Sequence, residues 1–184
     1  MRIGKWRRWL CIGLLLTGLA PGFTSATAAR EYQIKAVFLF NFTQFVVWPP
    51  EQFVDDHAPL VIGILGSDPY GNYLDETVRG EKVGGRALVV ERYRSVDDIA
   101  ACQVLFISSS EARRFQDIFA RLRQRPVLTV TDAGDAGQAG GIIRFVTENN
   151  HVRLQIDVRA AKAAGLTISS KLLRAADIIG GDGE

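Results

Sequence analysis

Apolar runs separated by polar, helix-forming segments dominate the middle of the chain. Leu60 to Leu65 is almost continuously apolar and lies between Pro59 and Gly66, which is typical of a strand buried on both faces. Similar runs predict strands at Arg86 to Tyr93, Gln103 to Ile107 and Val127 to Thr131. The intervening segments predict helices over Tyr70 to Arg79, Ser95 to Ala101 and Glu111 to Gln124. This alternation predicts an α/β fold with a doubly wound, mostly parallel sheet and helices on both faces.

The pattern changes after Thr131. Gly134 to Gly141 is a loop rich in glycine and alanine, and two apolar segments follow it. These segments, Ile142 to Thr147 and Val152 to Val158, flank a short polar turn and predict a C-terminal β-hairpin. Beyond the hairpin, the sequence predicts a short helix over Ala160 to Ala164 and a last helix over Lys171 to Ile179, the latter capped by the serines before it.

The segment Glu31 to Pro50, EYQIKAVFLFNFTQFVVWPP, predicts a helix with an unusual density of aromatic residues. At 100° per residue, one narrow stripe holds Ile34, Phe38, Phe42 and Phe45. Other apolar residues lie on the remaining sides, and such a helix needs cover on more than one side. The domain can cover one face, and a partner could cover the surplus. Depending on how the helix docks, that surplus is either Phe40 and Val47 or Val37 and Trp48.

Residues 1–28 have the features of a secretory signal peptide. A basic start is followed by an apolar run from Trp9 to Ala20 and by an Ala26-Thr27-Ala28 cleavage site. The apolar run is shorter than the roughly 20 residues that a membrane-spanning helix needs. We therefore expect a cleaved signal peptide over 1–28 and a single exported domain over 29–184.

Removal of this leader reverses the sign of the net charge. The whole chain has 22 basic and 20 acidic residues, and four of the basic residues lie in the leader. The mature chain is then slightly acidic, which argues against nucleic acid or anionic lipid as a partner. Cys102 becomes its only thiol, so no internal disulfide can form, and we expect a small buried residue at the start of a strand.

Candidate chemistry is sparse. The loop after the first strand carries Gly66 and Asp68 but has neither a dinucleotide-binding glycine pattern nor a Walker lysine. No paired ligands surround either histidine, and no serine-nucleophile motif is present, so we expect no metal, no cofactor and no catalytic residue. Asp132 ends a strand, where α/β folds often place ligands. A crevice near Gly66, Asp68 and Asp132 is therefore the candidate ligand site, as in a periplasmic small-ligand sensor domain that feeds a membrane signalling protein.

Four ordered blocks of the sequence resemble the YfiR-type domain of bacterial periplasmic proteins. They are Tyr32 to Phe42 with Phe45, Val46, Trp48 and Pro49; Gly63 to Gly71; Cys102 to Ser108 with Ser110 and Glu111; and a C-terminal block running from Gly140 to Val146, through Val152 to Ile156, to Gly165 to Leu173. The resemblance implies a Rossmann-like periplasmic domain without known catalysis. It also implies a repressor that binds the periplasmic part of an inner-membrane GGDEF-type diguanylate cyclase and thereby lowers cyclic di-GMP.

Members of the resembled family self-associate, so the resemblance implies a homo-oligomer. Some members carry regulatory disulfides, which the unpaired Cys102 of this chain does not allow. Interface energy concentrates in aromatic anchors. The candidate contacts to a client or to a second copy are therefore the aromatic residues of the predicted helix: Phe38, Phe40, Phe42, Phe45 and Trp48.

Overall fold

The computed structural model describes residues 23–132, 141–149 and 151–180. Most of the predicted signal peptide and of the predicted loop from Gly134 to Gly141 lies outside the described residues. The strands are β1 (Val46–Val47), β2 (Leu60–Leu65), β3 (Lys82–Val83), β4 (Arg86–Tyr93), β5 (Val104–Ile107), β6 (Leu128–Thr131), β7 (Ile143–Glu148), β8 (His151–Asp157), β9 (Thr167–Ile168) and β10 (Asp177–Ile179). The α-helices are α1 (Phe23–Phe45), α2 (Asn72–Val78), α3 (Phe115–Leu122), α4 (Val158–Ala163) and α5 (Ser170–Leu173), and short 3-10 helices span Pro50–Gln52, Val96–Asp98 and Ser109–Arg114.

Eight strands form the main sheet in the order β10-β8-β7-β6-β5-β2-β4-β3. Neighbouring strands are parallel from β7 across to β4 and between β10 and β8. The β7–β8 and β3–β4 pairs are antiparallel. The structure is thus a mixed α/β domain with a mostly parallel sheet, as the sequence predicts, and the C-terminal hairpin is confirmed. A Rossmann-like, doubly wound fold stays a prediction.

Alternate residues of β2 enter two separate cores on opposite faces of the sheet. Ile62 and Ile64 pack with α1 and α2 in one core. Val61 and Leu65 pack with α3 in the other. Because both faces of β2 are covered, every residue of the strand is buried, which explains its continuous apolar run.

Helix α1 lies across the first core and ends at Phe45, earlier than the sequence predicts. The next two residues form β1, which pairs with β9 in a separate two-stranded antiparallel sheet. The backbone N–H of Ser169 also donates to the Phe45 carbonyl at 2.8 Å. The end of α1 is therefore fixed by a segment far along the chain.

The prediction of a last helix over Lys171 to Ile179 is wrong. Helix α5 stops at Leu173, and residues 177–179 form β10, which pairs in parallel with residues 155–157 of β8. The β-branched residues Ile178 and Ile179 suit a strand, and pairing with β8 satisfies their backbone groups. The helix predicted over Glu111 to Gln124 is in part a 3-10 helix, over Ser109–Arg114, before α3 begins.

Among the described residues, no helix combines the length and the apolar character that crossing a membrane requires.

Candidate functional site

The aromatic residues of the predicted interface divide between core and surface. Phe42 is fully buried and stacks on Phe145 with ring centroids 6.0 Å apart. Trp48 is also buried, and its indole N–H donates to the Gln103 carbonyl at 3.0 Å. These two side chains therefore hold α1 and β1 against the sheet.

The other three aromatic candidates, Phe38, Phe40 and Phe45, are only partly buried. Phe38 contacts the core through Phe145, at 6.0 Å between ring centroids. Phe40 lies on another side of α1, about 140° from Phe45 at 100° per residue. The three aromatics therefore do not form one surface.

Two aliphatic residues of α1 are more exposed than any of these aromatics. Ile34 is 43% exposed and Val37 is 42% exposed. Together with Phe38 and Phe45 they fall within about 100° of the helix circumference. We call these four side chains the α1 ridge. Beyond the helix, Val47 of β1 is 64% exposed. The exposed surplus is therefore Val37 and Val47. Each comes from a different one of the two predicted pairs, which were Phe40 with Val47 and Val37 with Trp48.

A buried polar cluster lies where α1 meets the sheet, at the carboxyl end of β6. The Lys35 ammonium is 2.5 Å from a Glu31 carboxylate oxygen and 3.4 Å from Asp132 Oδ2. The Tyr32 hydroxyl donates to the same Asp132 oxygen at 2.9 Å. Glu31 also accepts a hydrogen bond from the Thr147 hydroxyl at 2.8 Å, which ties α1 to β7.

Two atoms in this region have no hydrogen-bond partner among the described residues, Asp132 Oδ1 and the Tyr70 hydroxyl oxygen. The Asp132 side chain is 3% exposed, and Tyr70 packs edge-on against Tyr32 with ring centroids 5.6 Å apart. Unpaired buried polar atoms are uncommon and cost stability. The Lys35 ammonium thus has two carboxylate partners, whereas the Tyr70 hydroxyl has no hydrogen-bond partner among the described residues.

The electrostatics of the cluster follow from burial and from its carboxylates. Burial raises the pKa of Tyr70, and the charges of Asp132 and Asp68 raise it further. Burial also raises the pKa of Tyr32, together with the Asp132 carboxylate. Burial alone would raise the pKa of Glu31, but hydrogen bonds from Lys35 and Thr147 and the Lys35 charge outweigh it and lower that pKa.

The residues of the predicted crevice follow strands β2 and β6, on either side of β5. Asp68 is already engaged, because its oxygens accept from the Tyr70 N–H at 2.7 Å and from Arg92 Nε at 2.9 Å. Gly66 has φ of +91° and leaves room for Ser110, whose Oγ would be 2.5 Å from an added Cβ. Of the three crevice residues, Asp132 is thus the one with a carboxylate oxygen that no described residue binds.

Cys102 is fully buried, and its thiol lies 3.1 Å from the Val104 carbonyl oxygen. Burial raises its pKa to about 12, which keeps the thiol protonated and unreactive at neutral pH. Cys102 is therefore a packing residue in the native domain. Within the described ranges, no group of three or more metal-ligating side chains comes together.

Lys35 is not among the site residues predicted from the sequence, because a single lysine in an otherwise apolar helix does not by itself indicate a site. A signal was present, because Glu31 and Lys35 are four residues apart and therefore neighbours on one helix face. Tyr70 was missed because nothing in its local sequence indicates that its hydroxyl becomes buried.

Comparison with models of known protein families matches residues 32–177 to the family described as YfiR/HmsC-like. The match begins at Tyr32 in α1 and ends at Asp177, the first residue of β10. It therefore covers well over half of the chain and includes the α1 ridge and all of the buried polar cluster except Glu31.

Proposed function

Because the chain belongs to the YfiR/HmsC-like family, a family of periplasmic regulators of cyclic di-GMP signalling, we propose that it represses an inner-membrane diguanylate cyclase. In this proposal the chain binds the periplasmic part of a GGDEF-type cyclase by protein–protein contact and so lowers cyclic di-GMP. Its role is regulatory and needs no cofactor.

The observation that carries the proposal is the α1 ridge. Ile34 and Val37 stay exposed although α1 is otherwise docked by Leu39 and Phe42, which are fully buried. Contiguous exposed apolar surface marks interaction sites on soluble domains. We therefore assign client contact to the α1 ridge, whereas Phe42 and Trp48 act indirectly by holding α1 in place.

The same ridge can support self-association, since a second copy would present the same apolar surface across a two-fold axis. The client and the second copy would then compete for one surface. A homo-oligomer is accordingly part of the proposal, with the oligomer as the form that does not hold the client.

The test is Val37→Glu, which places a charge at an exposed position of the ridge without changing the core. Cellular cyclic di-GMP should rise to the level of a deletion strain, while the variant is exported and folded like wild type. Ala112→Glu adds the same charge at an exposed position elsewhere and should leave cyclic di-GMP unchanged. Normal repression by exported Val37→Glu would refute client binding through the ridge.

A second candidate function, small-ligand sensing, has one observation in its favour. Asp132 Oδ1 and the Tyr70 hydroxyl have no hydrogen-bond partner among the described residues, so each could bond to a polar group of a ligand. A periplasmic metabolite that raises the melting temperature saturably in wild type, and does not do so in Asp132→Asn, would favour this function.

A further inference from the structure

An open groove with a volume of about 480 Å³ lies between α3 and α4, away from the α1 ridge. Its size falls in the range of small-molecule sites, roughly 300–1,000 Å³. Thr129 and Ile142 contribute to it from the sheet and the segment before β7, Leu122 from α3 and Ala160 from α4. The lining is predominantly apolar.

Small residues keep the groove open. Helix α4 contributes Ala160 and Ala163, with Ala164 just beyond it, where larger side chains would fill the space. Gly141 has φ of +108°, and an added Cβ would lie 3.5 Å from the Phe119 ring. The groove is therefore open because these positions carry alanine or glycine.

Two arginines line the groove without forming an ion pair among the described residues. Arg123 and Arg159 are exposed and form no hydrogen bond or ion pair with the described residues. Asp157 also lines the groove, but its carboxylate accepts from the Ala160 N–H at 2.8 Å and caps α4. Some other arginines of the domain form ion pairs, among them Arg92, Arg114 and Arg121.

We propose that this groove binds a small amphiphile with a carboxylate head and an unbranched apolar tail. The tail would cover the apolar surface of Leu122 and Ile142, and the carboxylate would be bound by Arg123 and Arg159. A guanidinium matches a carboxylate in charge and in bidentate geometry. The site is separate from the client surface and does not depend on the proposed function.

Decanoate, below its micelle concentration, is the probe for the mature chain. Calorimetric titration should show saturable binding, with a matching rise in melting temperature. Acetate supplies the head alone, decan-1-ol the tail with a neutral head, and decyltrimethylammonium the tail with the opposite charge. Decan-1-ol and decyltrimethylammonium should bind at least about tenfold more weakly than decanoate, because hydrogen bonds to charged groups are worth about one to two factors of ten. Acetate should also bind at least about tenfold more weakly, because it lacks the apolar tail.

The arginine pair is tested by Arg123→Ala/Arg159→Ala, which should weaken decanoate binding about tenfold. The matched control is Arg94→Ala/Arg113→Ala, which should bind decanoate as wild type does. These two arginines are also exposed and have no partner among the described residues. Ala163→Leu, which fills the groove from an exposed position, should weaken decanoate binding without unfolding the domain. Absence of saturable binding, equal binding of decyltrimethylammonium, or full affinity in the arginine double variant would overturn the proposal.

Discussion

At the scale of single residues, Lys35 is the least expected feature of the domain. A lysine that is 3% exposed is rare, because burial of an ammonium without a partner costs several kcal/mol. Here Glu31 and Asp132 contact the Lys35 ammonium, and Tyr32 shares Asp132 with it. One positive and two negative charges thus dock the first half of α1 on the sheet.

Lys35→Met keeps the length of the side chain and removes its charge, which leaves the buried Asp132 without a cation. We expect the free energy of unfolding to fall by about 3 kcal/mol in urea titrations. Lys35→Met/Asp132→Asn should recover part of the loss, because the second change removes the uncompensated charge. The exposed Lys162→Met is the control and should stay within about 0.5 kcal/mol of wild type. Equal stability of Lys35→Met and Lys162→Met would contradict this account.

The same cluster predicts a pH dependence with a defined sign. The pKa of Glu31 is lowered in the folded state, so its contribution to stability is present above the ordinary pKa of a glutamate and is lost as the pH falls through the lowered value. Lys35→Met removes the main cause of the lowering. The free energy of unfolding should therefore decrease less in this variant than in wild type when the pH is lowered.

At the scale of elements, the buried strands were predictable and the short ones were not. Every residue of strands β2, β5 and β6 is buried because both faces of these strands are covered. In β2 and β5 that requirement is visible in the sequence as an apolar run. The two-residue strands β1 and β9 exist only because they pair with each other. Strand β10 likewise depends on β8, which the local sequence from Lys171 to Ile179 does not reveal.

The candidate site was predictable to a similar extent. The surplus of apolar residues in α1 indicated a surface, but only the docking direction shows that Val37 faces solvent and Trp48 does not. Asp132 was identified from its position after a strand. Its pairing with Lys35 joins residues 97 positions apart, so no local pattern could reveal it.

Gly63, in the centre of β2, lies close to two side chains of the second core, Tyr93 and Cys102. An added Cβ would lie 2.6 Å from the Tyr93 ring and 2.8 Å from the Cys102 sulfur. Gly63→Ala should therefore lower the free energy of unfolding by about 1–3 kcal/mol, through overpacking. Gly63→Ala/Cys102→Ala should recover part of this loss, measured by urea unfolding, since it removes one of the two close contacts. A Gly63→Ala variant as stable as wild type would show that the sheet can shift at this position.

At the scale of the whole molecule, the proposed mature protein is one domain over residues 29–184 that exposes the α1 ridge on one surface and the groove on another. The family match from residue 32 to residue 177 fits within these boundaries. The proposed cleavage site after Ala28 falls inside α1, so cleavage would shorten this helix at its exposed start without touching Glu31 or Lys35.

The export proposal gives a direct measurement. Protein purified from the periplasm should have an intact mass that corresponds to residues 29–184, with Ala29 as its first residue. Ala28→Leu should impair cleavage, because signal peptidase sites require small residues there. A periplasmic protein that keeps residues 1–28 would exclude the cleaved signal peptide.

The pairing of β1 with β9 also affects the order in which parts of the domain can fold. Val46 pairs with Ile168, and Glu31 bonds to Thr147 across 116 residues of sequence, so both contacts require closure of long loops. Domains with many such distant contacts fold more slowly than those built from local ones. Helices and strands nearer in sequence, α2, β2 and β5, cover much of the apolar face of α1. The end of α1 and the short strand β1 reach their final position only when the segment around residue 168 has docked. Helix α1 thus lies near the start of the exported chain but depends on its last third for its final placement.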